Sequence, residues 1–170
     1  MITGRSWKYG NNINTDVIFP GKYTYTISEP AEMAQHALED LDPDFAKTVQ
    51  KGDILVAGNN FGCGSSREQA AIAIREAGIA CIVASSFARI FSRNAINCGL
   101  MPITCPDAVR HIQHGDSLTI DPTSGTLVHN EKIYTYQPLP EAIRNILKCG
   151  GLIPYTLQRL QQEGAKHGSI

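Results

Sequence analysis

The chain has 170 residues, with 15 lysines and arginines against 16 aspartates and glutamates and a formal net charge of −1. Without a basic stripe or an acidic tail, it is a poor partner for nucleic acid or an anionic membrane surface. No apolar run approaches the roughly 20 residues of a membrane span and no signal-peptide core is present, so we expect a cytoplasmic protein with one well-cored domain over residues 1–170.

The first third of the chain mixes strand and turn signals. Residues 7–9 resemble the end of a strand, and residues 14–16 lead into a short apolar run at 17–19 that a Pro-Gly pair ends. Ser28 is a candidate N-cap for a helix through about Leu41, with a proline tolerated in its first turn.

The central block predicts a strand, loop, helix, strand and helix in succession. Residues 54–57 form an apolar strand, a glycine-rich loop follows, and a helical pattern starts near Arg67. A β-branched run at 79–84 predicts the next strand, and a second helix at 87–97 is stopped by Gly99. This order indicates parallel strands covered by helices.

The last third changes to short alternating runs at 117–121, 126–129 and 132–136, separated by turn residues. That spacing predicts antiparallel hairpins. A further helix is expected through Lys148, and a frayed polar tail after about Gln161.

Cysteines give no sign of a metal site on this chain. They are odd in number and widely spaced: Cys63, Cys81, Cys98, Cys105 and Cys149. Since no Cys-x-x-Cys pair occurs, we expect reduced thiols, no metal ligands and no iron–sulfur cluster held by this chain.

Residues 58–69, which read Gly-Asn-Asn-Phe-Gly-Cys-Gly-Ser-Ser-Arg-Glu-Gln, are the most informative stretch. Their glycines, Gly64 among them, let the backbone approach a ligand closely. Ser65, Ser66 and Arg67 then follow where a helix is expected to begin, with its free N–H groups and positive dipole end. The pattern predicts a carboxylate or phosphate site beside a hydroxyl group.

Four interpretations of this loop compete. It lacks the Walker A lysine and the third Rossmann glycine, so phosphate binding is poorly supported. It also lacks a Gly-x-Ser-x-Gly elbow and a nearby histidine, which argues against a nucleophile at Cys63 or at a serine. Ser65 could instead remove a carbon-bound proton while Arg67 stabilises its oxygen and binds the adjacent carboxylate. Finally, Ser65 and Ser66 both fit capping boxes, a role that can coexist with catalysis.

Residues 59–68 resemble the signature of the swivelling domain of the aconitase superfamily. More specifically, the chain from about residue 5 to residue 160 resembles the free-standing small subunits of 3-isopropylmalate dehydratase, also called isopropylmalate isomerase. Further matching segments follow in family order, at 14–18, 86–91, 93–97 and 150–155. The resemblance implies an α/β fold with three β/β/α layers, as in the aconitase C-terminal domain.

The resemblance also implies roles for single residues. Ser65 matches the family's catalytic base, Arg67 the arginine that binds a substrate carboxylate, and Asp16 an acidic residue that helps to organise the active site. Ser66 matches a substrate-contacting serine, and Gly64 joins it as a candidate substrate contact.

In this family a [4Fe–4S] cluster lies on a separate large subunit. The resemblance therefore implies a cluster-bearing partner, a small dicarboxylate substrate and activity only in the complex. The implied reaction interconverts 2- and 3-isopropylmalate by dehydration and rehydration, a step of leucine biosynthesis.

Residues 21–26 read Gly-Lys-Tyr-Thr-Tyr-Thr and lack the arginine by which aconitase binds a further carboxylate. We expect this segment to line the substrate site, through Lys22, Tyr23, Thr24, Tyr25 and Thr26. Tyrosine offers apolar area, which favours an alkyl-bearing dicarboxylate. Because Lys22 could still reach a third carboxylate, related dehydratases of the dimethylmalate, citramalate or homoaconitase type stay open. A non-catalytic carboxylate-binding module is a further alternative, whereas RNA binding would require a basic face.

Overall fold

A computed structural model describes residues 1–167, with side chains through Glu163. Its strands are β1 (Ile2–Lys8), β2 (Ile54–Ala57), β3 (Cys81–Ala84), β4 (Met101–Thr104), β5 (Ser117–Asp121), β6 (Thr126–His129) and β7 (Lys132–Thr135). Its helices are α1 (Thr15–Ile18), α2 (Pro30–Gln35), α3 (Phe45–Thr48), α4 (Gln69–Glu76), α5 (Arg89–Asn97), α6 (Pro106–Val109), α7 (Glu141–Lys148) and α8 (Leu152–His167), with a 3-10 turn at Gly21–Tyr23.

Strand β1 joins two kinds of sheet. Its second half pairs in parallel with β2, with Ser6 opposite Ile54. Its first half pairs in the antiparallel sense with β5, with Ile2 opposite Ile120. The strand order is β4-β3-β2-β1-β5-β6-β7, so a parallel half and an antiparallel half meet at β1.

Alternate side chains of the parallel strands enter two separate cores. On β2, Leu55 and Ala57 pack with the helices, whereas Ile54 and Val56 pack with side chains of the antiparallel strands, such as Leu118. The parallel strands are thus buried on both faces, which explains their continuous apolar runs. They form the middle of three β/β/α layers, and the expected fold is confirmed.

Several predicted elements are confirmed within a few residues: the strands at 54–57 and 79–84, the second central helix, the three hairpin strands and the helix ending at Lys148. The parallel pairing of β2 with β3 is also confirmed. The sequence patterns did not indicate β4, α6 or α8. Helix α8 runs through the expected tail to His167, and residues 168–170 lie outside the described part of the chain.

The helix expected from Ser28 through Leu41 is wrong in extent. Helix α2 starts at Pro30, and its N-cap is Glu29 without a side-chain hydrogen bond. It stops after six residues, and Leu38 has a positive φ of 57°. The N–H of Leu38 donates to a carbonyl of α1 instead (2.8 Å), so a tertiary contact overrides the helical pattern.

Candidate active site

The loop at 58–68 is hydrogen-bonded on both sides at the carboxyl end of β2. On one side, the N–H of Gly62 donates to the carbonyl of Ile13 (2.7 Å); on the other, the N–H of Phe61 donates to the carbonyl of Ser86 (3.0 Å). These partners follow β1 and β3. The loop therefore lies at the carboxyl edge of three adjacent parallel strands, where α/β sheets commonly bind ligands.

Two glycines of the loop are required by local geometry. Gly62 has φ +77°, and a Cβ there would lie 2.1 Å from Cγ of Phe91. Gly64 has φ +97°, and a Cβ there would lie 3.2 Å from Oγ1 of Thr15. Gly64 is exposed, so its backbone can also meet a ligand.

Arg67 is the centre of the predicted site. Its Nε–H donates to Oγ of Ser65 (2.8 Å), and Nη1–H donates to Oγ1 of Thr24 (2.7 Å). Nη2 forms an ion pair with the carboxylate of Asp16. The side chain of Arg67 is only 18% exposed, so these contacts hold the guanidinium in one orientation.

Ser65 is held from the protein side and open on the other. Its Oγ accepts from Arg67 and lies 3.3 Å from Oγ1 of Thr15. Thr15 Oγ1 also donates to the carbonyl of Ser65 (3.0 Å). Ser65 is exposed, whereas Thr15 is buried, so a hydroxyl at the surface is fixed by a group beneath it.

The capping-box interpretation of the two serines is wrong. Helix α4 begins at Gln69, and its N-cap is Glu68, which makes no side-chain capping bond. Ser65 therefore lies four positions before the helix rather than at its first turn. Stabilisation of negative charge on the Ser65 oxygen must come from Arg67 and nearby hydroxyls, because the helix dipole acts mainly within the first turn.

Thr24 is the member of the 22–26 segment that contacts this group. Besides accepting from Arg67, its carbonyl accepts from Nε2 of Gln69 (3.0 Å). The side chains of Arg67, just before α4, and of Gln69, its first residue, thus hold the 22–26 segment against the loop.

Lys22 and Tyr23 are instead drawn towards a second cluster. Lys22 Nζ lies 2.6 Å from one oxygen of Glu39, and His36 Nδ1 lies 2.6 Å from the other. The Tyr23 ring lies over the His36 ring, with centroids 4.0 Å apart. Burial opposes ionisation of Glu39, but hydrogen bonds from Lys22, His36 and Tyr23 outweigh it and hold the pKa of Glu39 below its ordinary value.

The remaining predicted substrate contacts lie at the surface around the site. Tyr25 is 98% exposed, and Thr26 is exposed with its hydroxyl 3.4 Å from the carbonyl of Tyr23. Ser66 is exposed, and its carbonyl accepts from Nδ2 of Asn94 (3.0 Å).

The sequence patterns indicated no active-site role for Thr15, Gln69 or Asn94, and Gln69 was only the partner of Ser66 in a capping box. The signal for Thr15 was its place in the segment 14–18, which reads Asn-Thr-Asp-Val-Ile and matches the family. Asn14 caps α1 by accepting from the N–H of Val17 (2.8 Å), and this turn directs Thr15 and Asp16 to the loop. Side-chain contacts of this kind join distant positions, so residue spacing cannot reveal them.

No cluster of three or more His, Cys, Asp or Glu side chains in the described part of the chain is arranged to hold a metal ion. All five cysteines are free thiols. None of the helices described is both long and apolar enough to cross a bilayer.

The aconitase C-terminal domain model matches residues 9–108, which include Asp16 and the whole 58–68 loop. The chain belongs to the aconitase C-terminal domain family. Within this family, the 3-isopropylmalate dehydratase small subunit of Caldicellulosiruptor saccharolyticus is 51% identical over 96% of this chain and 95% of that protein. The protein of the same name from Heliobacterium modesticaldum is 48% identical over 95% of this chain and 98% of its own length.

A solved structure of the aconitase C-terminal domain type has the same fold. The crystal structure of 3-isopropylmalate dehydratase from Methanocaldococcus jannaschii matches with a TM-score of 0.91 at 44% identity. The match covers 97% of this chain and 98% of that one, so the antiparallel strands and the C-terminal helices are shared as well as the matched domain.

Proposed function

We propose that this chain is the small subunit of a hydro-lyase that interconverts 2- and 3-isopropylmalate by dehydration and rehydration in leucine biosynthesis. The named relatives support this proposal because they match nearly the full length of the chain. The observation that carries it chemically is the hydrogen bond from Arg67 to the exposed hydroxyl of Ser65 (2.8 Å).

Ser65 is the proposed base. Dehydration requires removal of a proton from the carbon next to a carboxylate, and an ordinary serine hydroxyl ionises too weakly for this task. The charged donor of Arg67 favours the ionised oxygen of Ser65 over the neutral hydroxyl. In dehydration the carbon-bound proton moves to the Ser65 oxygen, and in rehydration Ser65 returns it to carbon.

Arg67 is the proposed carboxylate clamp. A guanidinium has five N–H groups, and three of those on Arg67 meet Ser65, Thr24 and Asp16. The other two are available to a substrate carboxylate. Because one side chain contacts both the base and the carboxylate, the carbon between them is held within reach of Ser65.

A [4Fe–4S] cluster does not fit the described residues of this chain. Cys81, Cys98 and Cys105 are buried. Burial raises the pKa of the Cys81 thiol to about 12 and that of Cys98 to about 11, and it also raises the pKa of Cys105. Raised pKa values disfavour the thiolates that ligate iron. We therefore assign the cluster, and the Lewis acid that loss of hydroxide needs, to a large subunit in the cytoplasm. Neither nucleic acid nor membrane has a part in the proposal.

The segment around Thr24 is the proposed selector of the γ-substituent. No arginine is present at 21–26, and Lys22 is paired with Glu39. A substrate with an alkyl group in place of a third carboxylate therefore fits this segment best. A panel of isopropylmalate, dimethylmalate, citramalate and homocitrate, assayed on the reconstituted complex, separates this proposal from its relatives.

The decisive experiment compares serine variants in a complex with the large subunit and reconstituted cluster. Ser65→Ala should lower kcat about 100- to 10,000-fold with little change in KM, since a base is lost and the clamp is kept. Ser117→Ala, an exposed serine on β5, is the matched control and should behave as wild type. Near-normal turnover by Ser65→Ala, or activity of the isolated chain, would contradict the proposal.

A further inference from the structure

We propose that Thr15 is a positioning residue for the Ser65 base. In the resting site its hydroxyl oxygen receives the Ser65 hydroxyl hydrogen, and in the reactive site its own hydrogen turns to the charged Ser65 oxygen. The proposal rests on the proposed function, in which Ser65 accepts the carbon-bound proton.

Thr15 is fixed more firmly than Ser65. It is 1% exposed, its N–H donates to the carbonyl of Cys63 (2.8 Å), and its carbonyl accepts from the N–H of Phe19 (3.0 Å). A β-branched side chain on a fixed backbone has few accessible χ1 rotamers. The hydroxyl of Thr15 is therefore a fixed reference point against which the exposed Ser65 side chain is oriented.

The hydrogen count sets the direction of the bond between the two hydroxyl groups. Thr15 has one hydroxyl hydrogen, and it donates that hydrogen to the carbonyl of Ser65 (3.0 Å). Across the 3.3 Å contact, Ser65 must then be the donor and Thr15 the acceptor. With Arg67 donating to the same oxygen, the Ser65 hydroxyl is engaged in two directions on the protein side, while the residue itself is exposed.

Ionisation of Ser65 reverses this bond. When the Ser65 hydrogen leaves to solvent, Thr15 can rotate its single hydrogen from the carbonyl to the charged oxygen. That oxygen then accepts from both Arg67 and Thr15. No proton leaves Thr15: the substrate's carbon-bound proton goes to Ser65, and the Thr15 hydrogen returns to the carbonyl. Hydrogen bonds to a charged oxygen are stronger than those to a neutral one, so the switch favours the reactive state.

A role limited to packing makes different predictions, and two variants separate them. Thr15→Val keeps the buried shape and removes the hydroxyl, whereas Thr15→Ser keeps the hydroxyl and removes the methyl group. If packing alone matters, Thr15→Val is the milder change. If the hydroxyl positions the base, Thr15→Ser is the milder change and rescues turnover.

The experiment measures kcat, KM and the primary deuterium isotope effect on kcat in the reconstituted complex, with isopropylmalate deuterated at the carbon that loses its proton. Thr15→Val should lower kcat about 10- to 100-fold, leave KM within about threefold, and raise the isotope effect because proton removal becomes slower. Thr15→Ser should stay within about threefold of wild type. A smaller fraction of folded enzyme would lower kcat without raising the isotope effect.

The outcomes discriminate between this inference and the proposed function. A wild-type complex without dehydratase activity overturns the proposed function and this role with it. An active wild type in which Thr15→Val keeps normal kcat and isotope effect overturns the role of Thr15 alone. If Thr15→Val does not fold, a loss of more than tenfold in kcat by folded Thr15→Ser overturns it as well.

Discussion

The carboxylate of Asp16 is paired with Arg67, the same guanidinium that donates to the hydroxyl of Ser65. The two partners differ in freedom, because the Asp16 side chain is 58% exposed and that of Arg67 is 18% exposed. In the resting protein, the guanidinium that is proposed to bind the substrate already holds a carboxylate, that of Asp16. A dicarboxylate that binds to Arg67 as proposed would meet both the charge of Arg67 and the opposing charge of Asp16.

Replacement of Asp16 should strengthen anion binding and slow turnover. In Asp16→Asn the opposing charge is gone, so the inhibition constant of a simple dicarboxylate such as malonate should fall about two- to fivefold, a change of the size expected for an ion pair whose carboxylate is exposed. Turnover should fall because a neutral amide oxygen orients Arg67 less firmly than the carboxylate does. Inhibition and steady-state assays of the complex measure both effects. Asp107→Asn, which alters an aspartate–arginine pair exposed on both sides, is the control. An unchanged inhibition constant in Asp16→Asn would contradict the idea that Asp16 competes with the dicarboxylate for Arg67.

Release of Lys22 should broaden the substrate range. Glu39→Gln removes the carboxylate charge 2.6 Å from Lys22 Nζ and leaves the longer contact with Asp40 (4.0 Å), so the lysine can turn more easily towards a third carboxylate. We expect kcat/KM for homocitrate to rise about threefold relative to isopropylmalate, within the range of a surface ion pair. Lys22→Met alone should leave the ratio unchanged, and adding it to Glu39→Gln should abolish the gain. A gain that persists without the lysine would assign the effect to loop movement.

Gly62→Ala should cost more stability than an alanine at a glycine of similar backbone conformation with open surroundings. Gly62→Ala places a Cβ 2.1 Å from the Phe91 ring at φ +77°, whereas Gly115→Ala has a similar φ of +88° and open space around it. The second variant should lose about 1 kcal/mol from backbone strain alone. The first should lose about 1–3 kcal/mol more from overpacking. Urea unfolding of both chains tests this, and equal losses would show that Phe91 moves aside without cost.

Asp53 should stabilise the fold at neutral pH and not in strong acid. Its carboxylate accepts from Nε1 of Trp7 (2.8 Å), the N–H of Gln50 (3.0 Å) and Nη2 of Arg5 (3.2 Å). Burial opposes ionisation, but these bonds outweigh it and lower the pKa of Asp53 below 3.8. A lowered folded-state pKa gives stability that is present above the ordinary value and is lost as pH falls through the folded one.

Asp53→Asn should therefore cost about 1–3 kcal/mol of unfolding free energy at pH 7. The difference from wild type should shrink as pH falls below the ordinary aspartate pKa of 3.8. Denaturant unfolding across this range measures it, with the exposed Asp44→Asn as control. A constant difference at all pH values would mean that the carboxylate charge has no part in the bonds.

The sequence predicted what depends on local pattern. The apolar β-branched runs at 54–57 and 79–84 predicted parallel strands because burial on both faces leaves no alternation. Strand β4 was missed because Pro102 argues against a strand; at the edge of the sheet its missing N–H is tolerated. The loop predicted Ser65 and Arg67 as a pair, since they lie two positions apart.

The rest of the site depends on contacts between distant parts of the chain. Thr15 and Ser65 are 50 positions apart, and Thr24 and Arg67 are 43 apart. The periodicity of a single sequence gives no information about contacts between residues so far apart in the chain. The pairing of Lys22 with Glu39 is of the same kind, and it requires α2 to stop short of where the helical pattern ends.

The position of β1 between the parallel and the antiparallel strands affects how the protein unfolds. One continuous strand is hydrogen-bonded to both a parallel and an antiparallel neighbour. The two sets of strands therefore cannot separate unless β1 loses its hydrogen bonds to β2 or to β5. The segment that carries Thr15 and Asp16 leaves directly from that strand. The amides of β1, β2 and β5 should therefore exchange with solvent only in whole-molecule unfolding. Local opening that displaces the proposed catalytic residues should be confined to the loops, while the strands beneath them stay paired.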